Sequence, residues 1–273
     1  MATDTGRRRP LLAACYGAPI GLLGGLIGLG GAEFRLPVLV GPLRYSPRQA
    51  VPLNLDVTLV TIVASLGSRG ASLSFDSVAA YFHVILTLIV GSVLGASLGP
   101  SLYTRLSERQ FGRLILVLLL GLGAGLIFEC IWPQQSSGAI FNAMPVQVTA
   151  SLLFGLAIGL ISSLLGVAGG ELLIPTLVLA FGINIKAAGT ASLLISVPMV
   201  IVGVLAHAKR GGFTDRLVWG DTVWPMSASS ILGAITGGLL VHTVPSSLLK
   251  AGLGAIMIVS ALRVFLKESQ AST

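Results

Sequence analysis

Charge is what this sequence has least of. Asp, Glu, Lys and Arg together make up 10% of its 273 residues, where a soluble globular domain carries about 25%. That scarcity excludes a chain solvated on all sides, and no polar stretch is long enough to fold as a soluble domain. Acidic residues are rarer than basic ones, 10 against 17, giving a net charge of +7. This is not the footprint of a nucleic-acid binder, because the basic residues lie between apolar runs and form no patch interleaved with aromatics. The two cysteines, Cys15 and Cys130, have no motif spacing, so neither a disulfide nor a metal site is implied. A phosphate-binding loop is missing, so this chain does not consume ATP. No His-Glu-x-x-His or Gly-x-Ser-x-Gly pattern supports an intramembrane enzyme, and no cofactor motif is present.

What remains is apolar. Hydrophobic residues make up 54% of the chain, and there are 35 glycines, the composition of helices that span a bilayer and pack closely. Arg7, Arg8 and Arg9 precede the first apolar run, and Leu12-Ala13-Ala14-Cys15 resembles a lipoprotein cleavage site. The run continues to Leu29, however, so the first span reads as retained.

Shifting the chain by 138 positions aligns it with itself. Gly17 then matches Gly155, Gly21-Leu22 matches Gly159-Leu160, and Gly28, Gly31, Glu33 and Pro37 match Gly166, Gly169, Glu171 and Pro175. Further on, Phe75 meets Phe213 and Leu94-Gly95-Ala96 meets Leu232-Gly233-Ala234. Glycine and leucine match often by chance; proline, glutamate and phenylalanine in one frame do not. The apolar runs fall at 11–29, 36–42, 49–67, 78–100 and 111–132, then at 146–167, 172–182, 187–206, 217–241 and 248–266. The chain thus divides into a first repeat (1–132), a linker (133–145) and a second repeat (146–273).

The short runs, 36–42 and 172–182, cannot cross a bilayer that needs about 20 residues. If each pairs with the run before it as a hairpin, thirteen basic residues fall on the side of the N-terminus: Arg7, Arg8, Arg9, Arg44, Arg48, Arg105, Arg109, Arg113, Lys209, Arg210, Arg216, Arg263 and Lys267. Only Arg69, Lys186 and Lys250 fall on the other side. Basic residues concentrate in cytoplasmic loops, so both termini are expected in the cytoplasm and the linker outside. A hairpin plus three spans reverses the side on which the second half starts. The expected fold is therefore an all-α polytopic membrane protein made of two inverted-topology repeats, each a broken-helix hairpin plus three transmembrane helices. That arrangement is a transporter signature.

The breaks read Gly28-Leu29-Gly30-Gly31-Ala32-Glu33-Phe34-Arg35-Leu36-Pro37 and Gly166-Val167-Ala168-Gly169-Gly170-Glu171-Leu172-Leu173-Ile174-Pro175. This duplicated glycine-rich segment with its proline, and the later Ala188-Gly189-Thr190-Ala191-Ser192-Leu193, resemble the sulfite exporter TauE/SafE family of membrane proteins. The resemblance implies a multi-pass transporter of the cell membrane, with sulfite or organosulfonate export the named activity of some members. Here Ala32 and Ala168 stand where the family's glycine run continues, and Arg35 is added to the first copy.

Independently of the resemblance, two helix N-termini meeting at such breaks would attract a small anion. Arg35 is either a counter-ion for that anion, through its planar fork, or a structural partner of Glu33 or Asp56, or a residue snorkelling to water. The expected substrate-binding set is Arg35, Gly30, Gly31, Glu33, Asn54, Gly169, Gly170, Glu171, Thr190 and Ser192. Gly28, Pro37, Gly166 and Pro175 form its structural frame. Glu33 and Glu171 either cap the short helices or carry protons, and Asp56, whose repeat mate is Leu194, is a third proton-coupling candidate. The expected function is a secondary transporter exporting a small anion, with a channel or a non-transporting subunit of a membrane complex as the alternative. Its expected partners are the lipid bilayer, the anion and a coupling proton or other ion; an oligomer is left open.

Overall fold

The computed structural model describes residues 4–72, 76–102, 143–208 and 218–271, with isolated positions between 120 and 128. The span expected at 111–132, most of the linker and the match of Phe75 with Phe213 lie outside the described residues. Within them the chain is helical nearly throughout. The first half supplies α1 (Asp4–Ile27), α2 (Ala32–Val40), α3 (Pro47–Ser72), α4 (Asp76–Ala79) and α5 (Phe82–Leu102). The second supplies α6 (Met144–Leu165), α7 (Gly170–Leu179), α8 (Ile185–Ala208), a π-helical turn at Trp219–Val223, α9 (Trp224–Leu240) and α10 (Ser246–Ala271). Among the described residues, five stretches are long and apolar enough to cross a membrane: Arg9–Ile27, Gln49–Ala71, Met144–Ser163, Ile185–Ala206 and Trp219–Leu240. The protein is a polytopic all-helical membrane protein.

Each short run becomes a helix of 9 or 10 residues, about 14–15 Å long, half of a hydrocarbon core about 30 Å thick. Glycine makes the restart possible. Gly28, Gly30 and Gly31 have φ of 97°, 77° and 77°, and Gly166 and Gly169 have 66° and 70°. These are left-handed conformations that a side chain enters only at a cost. With Gly31 as the turning point, α2 begins at Ala32 rather than at 36, and Arg35 becomes a helical residue. Pro37 and Pro175 have no N–H to return to the carbonyls of Glu33 and Glu171 four residues earlier, so each short helix starts with a main-chain acceptor unclaimed by its own ladder.

Two seams join the halves. On α1, a Cβ at Gly17 would meet the backbone of Met226, and one at Gly21 that of Ser230. In return, one at Gly233 on α9 would meet Ala18. Between α5 and α6 the same contacts recur 138 positions away: Gly155 against Leu88, Gly159 against Ser92, and Gly95 against Leu156. Such backbone-to-backbone approach is what binds helices in lipid, where apolar burial drives nothing. Ser230 adds a hydrogen bond from its Oγ to the Gly17 carbonyl, 3.0 Å.

One expectation fails. The run at 49–67 continues as helix to Ser72, so Arg69 is not a loop charge on the far side of the bilayer; it lies within α3 and is fully buried. The reason is a polar stripe that the apolar run conceals. Asn54, Thr58, Thr61, Ser65 and Ser68 recur at intervals of three or four, with Arg69 four beyond Ser65; all are buried and share one face of α3.

Candidate functional site

The two breaks meet. Leu29 packs against Gly170, whose Cβ would collide with its backbone. Each break also rests on the third helix of the other half, Gly28 against Gly189 of α8 and Gly166 against Val51 of α3. Positions 28 and 166, and 51 and 189, are repeat mates, so one contact is made twice. Asn54, fully buried, ties the breaks together: its Nδ2 donates to the Ala32 carbonyl (3.1 Å) and to the Gly166 carbonyl (3.2 Å).

The short helices bring their first-turn glutamates to this junction. The Glu33 and Glu171 carboxylates are close enough to act on each other electrostatically, and Glu33 also lies near the main-chain amide of Glu171. Both oxygens of Glu33 and Oε1 of Glu171 are nevertheless buried without a hydrogen-bond partner. Asn54 Oδ1, at this junction, is likewise buried and unpartnered, as are Ser192 Oγ on α8 and Asp56 Oδ2 on α3. Ser196 differs, donating to the Ala168 carbonyl at 2.9 Å. Several unanswered polar atoms at one junction have a high free-energy cost, which marks the place as built for something other than packing.

Arg35 is fully buried, so it does not snorkel. Its Nη1 donates to Thr58 Oγ1 at 2.7 Å and its Nη2 to Thr61 Oγ1 at 3.1 Å. Among the described residues it forms no ion pair, with Asp56 or with Glu33, although Glu33 lies within electrostatic range. Nε is buried and unpartnered. The guanidinium is thus seated by neutral hydroxyls that fix its plane without cancelling its charge. Thr58 and Thr61 lie 11 and 14 residues into α3, counted from Pro47, roughly 17–21 Å along it, which is mid-bilayer depth for a spanning helix. In the second half the mates of Arg35, Thr58 and Thr61 are Leu173, Ser196 and Met199, so the junction is cationic on one side and apolar on the other. A small cavity of about 30 Å³ on that second side is lined by Leu55, Ser162, Gly166, Val167, Met199 and others.

Thr190 is drawn elsewhere. Its Oγ1 accepts from Arg69 Nη1 at 3.1 Å and donates to the Lys186 carbonyl at 3.2 Å. Arg69 also donates from Nε to the Gly25 carbonyl (2.8 Å), from Nη2 to the Leu26 carbonyl (2.7 Å) and from Nη1 to the Lys186 carbonyl (3.0 Å). It therefore caps the carbonyl end of α1, where the helix dipole favours a cation, and ties that end to α8. At the opposite end of α3, Tyr45 and Thr222 hydrogen-bond at 2.6 Å, and Arg9 lies 5.9 Å from the centre of the Tyr45 ring. The junction sits between these two ties. Sequence reasoning missed Arg69, Thr58 and Thr61; their three-and-four spacing with Asn54 was the available signal.

Comparison with known proteins agrees with this architecture. The model of the family described as sulfite exporter TauE/SafE matches residues 2–126 and 151–273. The chain is also 27% identical to a Haemophilus influenzae protein described as "Probable membrane transporter protein", over 94% of this chain and 98% of that one. The chain belongs to the sulfite exporter TauE/SafE family, and that membership points to a membrane transporter rather than an enzyme.

Proposed function

Given that membership, we propose that the protein is a secondary transporter that exports a small oxyanion, sulfite or an organosulfonate, through the junction of the two breaks. One observation carries this reading: a mid-depth guanidinium, that of Arg35, is fully buried and, among the described residues, hydrogen-bonded by the neutral hydroxyls of Thr58 and Thr61 rather than by a carboxylate. A buried cation at that depth costs at least about 3 kcal/mol, and Glu33, though within electrostatic range, does not close an ion pair with it. The N-termini of α2 and α7 converge on the same place and favour negative charge. Gly30, Gly31, Gly169 and Gly170 keep the backbone amides bare of side chains there, and Asn54 and Ser192 bring polar atoms. Thr190 belongs to the tie at Arg69 more than to the anion. Glu33, Glu171 and Asp56 are the candidates for ion coupling.

Flux into vesicles holding the purified protein tests the reading, with sulfite, sulfate, alkanesulfonates and carboxylates as the panel. Saturable oxyanion flux is expected. Arg35→Gln should abolish it, by roughly a hundredfold or more if one charge-assisted bidentate contact is lost. Arg35→Lys keeps the charge without the fork, so it should weaken oxyanions more than halides. Unsaturable conductance would point to a channel, and no flux of any anion to a subunit of a larger complex.

The orientation proposed with this function has both termini in the cytoplasm and the linker outside. Single cysteines at position 138 and at the C-terminus should react with a membrane-impermeant thiol reagent from opposite faces. Labelling from the same face would overturn the inversion of the second half, because an odd number of crossings must separate them.

A further inference from the structure

The junction proposed to hold an anion already contains a pair of carboxyl groups. The Glu33 carboxylate reaches from the first turn of α2 toward the start of α7, near the main-chain amide of Glu171. It stands where the positive ends of two short helices converge, yet neither of its oxygens completes a hydrogen bond. Glu171 brings a second carboxylate to the same place, with Oε1 also unpartnered. A carboxylate whose only task was to cap its own helix would be satisfied by the N–H groups of that turn; Glu33 lies near its own amide and also near that of Glu171 on the other short helix, with both oxygens short of a full hydrogen bond.

The other charged groups around the pair are few. Arg35 comes from α2; α3 carries Arg69, taken up by the carbonyls of Gly25, Leu26 and Lys186, and Asp56, two residues on from Asn54 and so turned to another face of the helix. On α8 the one nearby cation, Lys186, sits at the helix start and donates from Nζ to the His242 carbonyl at 3.0 Å. The sequences of α6 and α9 contain no Asp, Glu, Lys, Arg or His, and α1 contributes none beyond Arg9. With Glu33, Glu171 and Arg35 ionised, two carboxylates face one guanidinium. A further anion could not enter against that balance.

We propose that Glu33 and Glu171 form a single shared proton site, and that Glu33 is a tethered anion which the transported anion displaces only when a proton enters with it. The inference rests on the transport reading above and adds the sign of the coupling. Protonation forms one O–H bond on a carboxylate of the pair and breaks none in the protein. It removes one negative charge, releases the helix ends and leaves Arg35 to the incoming oxyanion. By reciprocity the bound anion holds the proton in turn. Proton and anion therefore travel in the same direction, and a monovalent anion leaves as an electrically neutral pair. Fully buried Asn54, with Nδ2 fixed between the breaks and Oδ1 unpartnered, adds an acceptor for the O–H that forms.

Methanesulfonate is the probe, because its own charge stays constant from mildly alkaline to mildly acidic solution. Its binding to the purified full-length protein in detergent is measured by calorimetry across that range, with proton uptake followed in weakly buffered solution. Affinity should rise at least about tenfold toward acid pH, with protons taken up on binding. Glu33→Gln should bind at alkaline pH as tightly as the wild type does in acid, with the pH dependence lost. Glu171→Gln should shift in the same direction, and the wild-type titration alone keeps the test valid if either variant fails to fold. Binding that is independent of pH, that weakens toward acid, or that Glu33→Gln weakens at every pH overturns the shared proton site while leaving anion transport standing. Absence of methanesulfonate binding at any pH, together with absence of oxyanion flux, overturns both.

Discussion

Replacing Arg69 with leucine should lower stability by on the order of 3–5 kcal/mol, the range for removing one partner of a buried charged network. The expectation does not come from charge alone, since a well-packed apolar residue can replace a buried ion pair at little loss. It comes from what would be left behind. The acceptors of Arg69 are the carbonyls of Gly25, Leu26 and Lys186 and the Thr190 hydroxyl, and three of the four are main chain. No second substitution can remove them, so leucine would strand the carbonyls of Gly25 and Leu26, while that of Lys186 keeps the hydrogen bond from Thr190. Lysine has three donors on one nitrogen and cannot span acceptors on two helices, so Arg69→Lys should fall between. Thermal unfolding of the purified variants in detergent measures this. A loss of less than about 0.5 kcal/mol for the leucine variant would mean that α1 and α8 hold together without the tie.

The second large effect is expected at Gly28, and it should be unequal to that at its repeat mate. Alanine at either position meets a left-handed backbone, at a cost of roughly 1–2 kcal/mol. Their neighbours differ. The new methyl at 28 would lie inside the backbone of Gly189, a residue with nothing to trim; at 166 it would meet the side chain of Val51. Gly28→Ala should therefore abolish accumulation of folded protein, with no rescue by a substitution at 189. Gly166→Ala should be milder and partly restored by Val51→Ala. Equal losses at the two sites, or no rescue by Val51→Ala, would show that the breaks do not rest on the opposite third helices as described.

Much of this was legible in the sequence, and the limits have physical causes. The offset of 138 locates both breaks, because a left-handed turn leaves glycine almost no substitute and a half-length run cannot span. The intramembrane position of Arg35 follows from its place between apolar runs. Its seat on Thr58 and Thr61 does not, because hydropathy averages over a whole span and hides a stripe of hydroxyls on one face. The same averaging put Arg69 in a loop: Gly67, Ser68 and Gly70 around it look like a turn, while the helix is carried through by carbonyls contributed from α1 and α8. Thr190 was expected at the anion and is held by Arg69, since a hydroxyl's type says nothing about which neighbour claims it. The glycines of α1 announce a close partner without naming it, and nothing local distinguishes α9 from α5.

That pairing bears on how the protein is made. The α5–α6 seam joins residues such as Thr87 and Ser151, 64 apart in sequence, and can close while synthesis continues. The α1–α9 seam joins Gly17 to Ser230, 213 apart. At about 5–20 residues per second, the first helix waits roughly 10–40 s in the membrane with its glycine face open to lipid. Until α8 and α9 are inserted, Arg69 holds the carbonyl end of α1 from inside its own half.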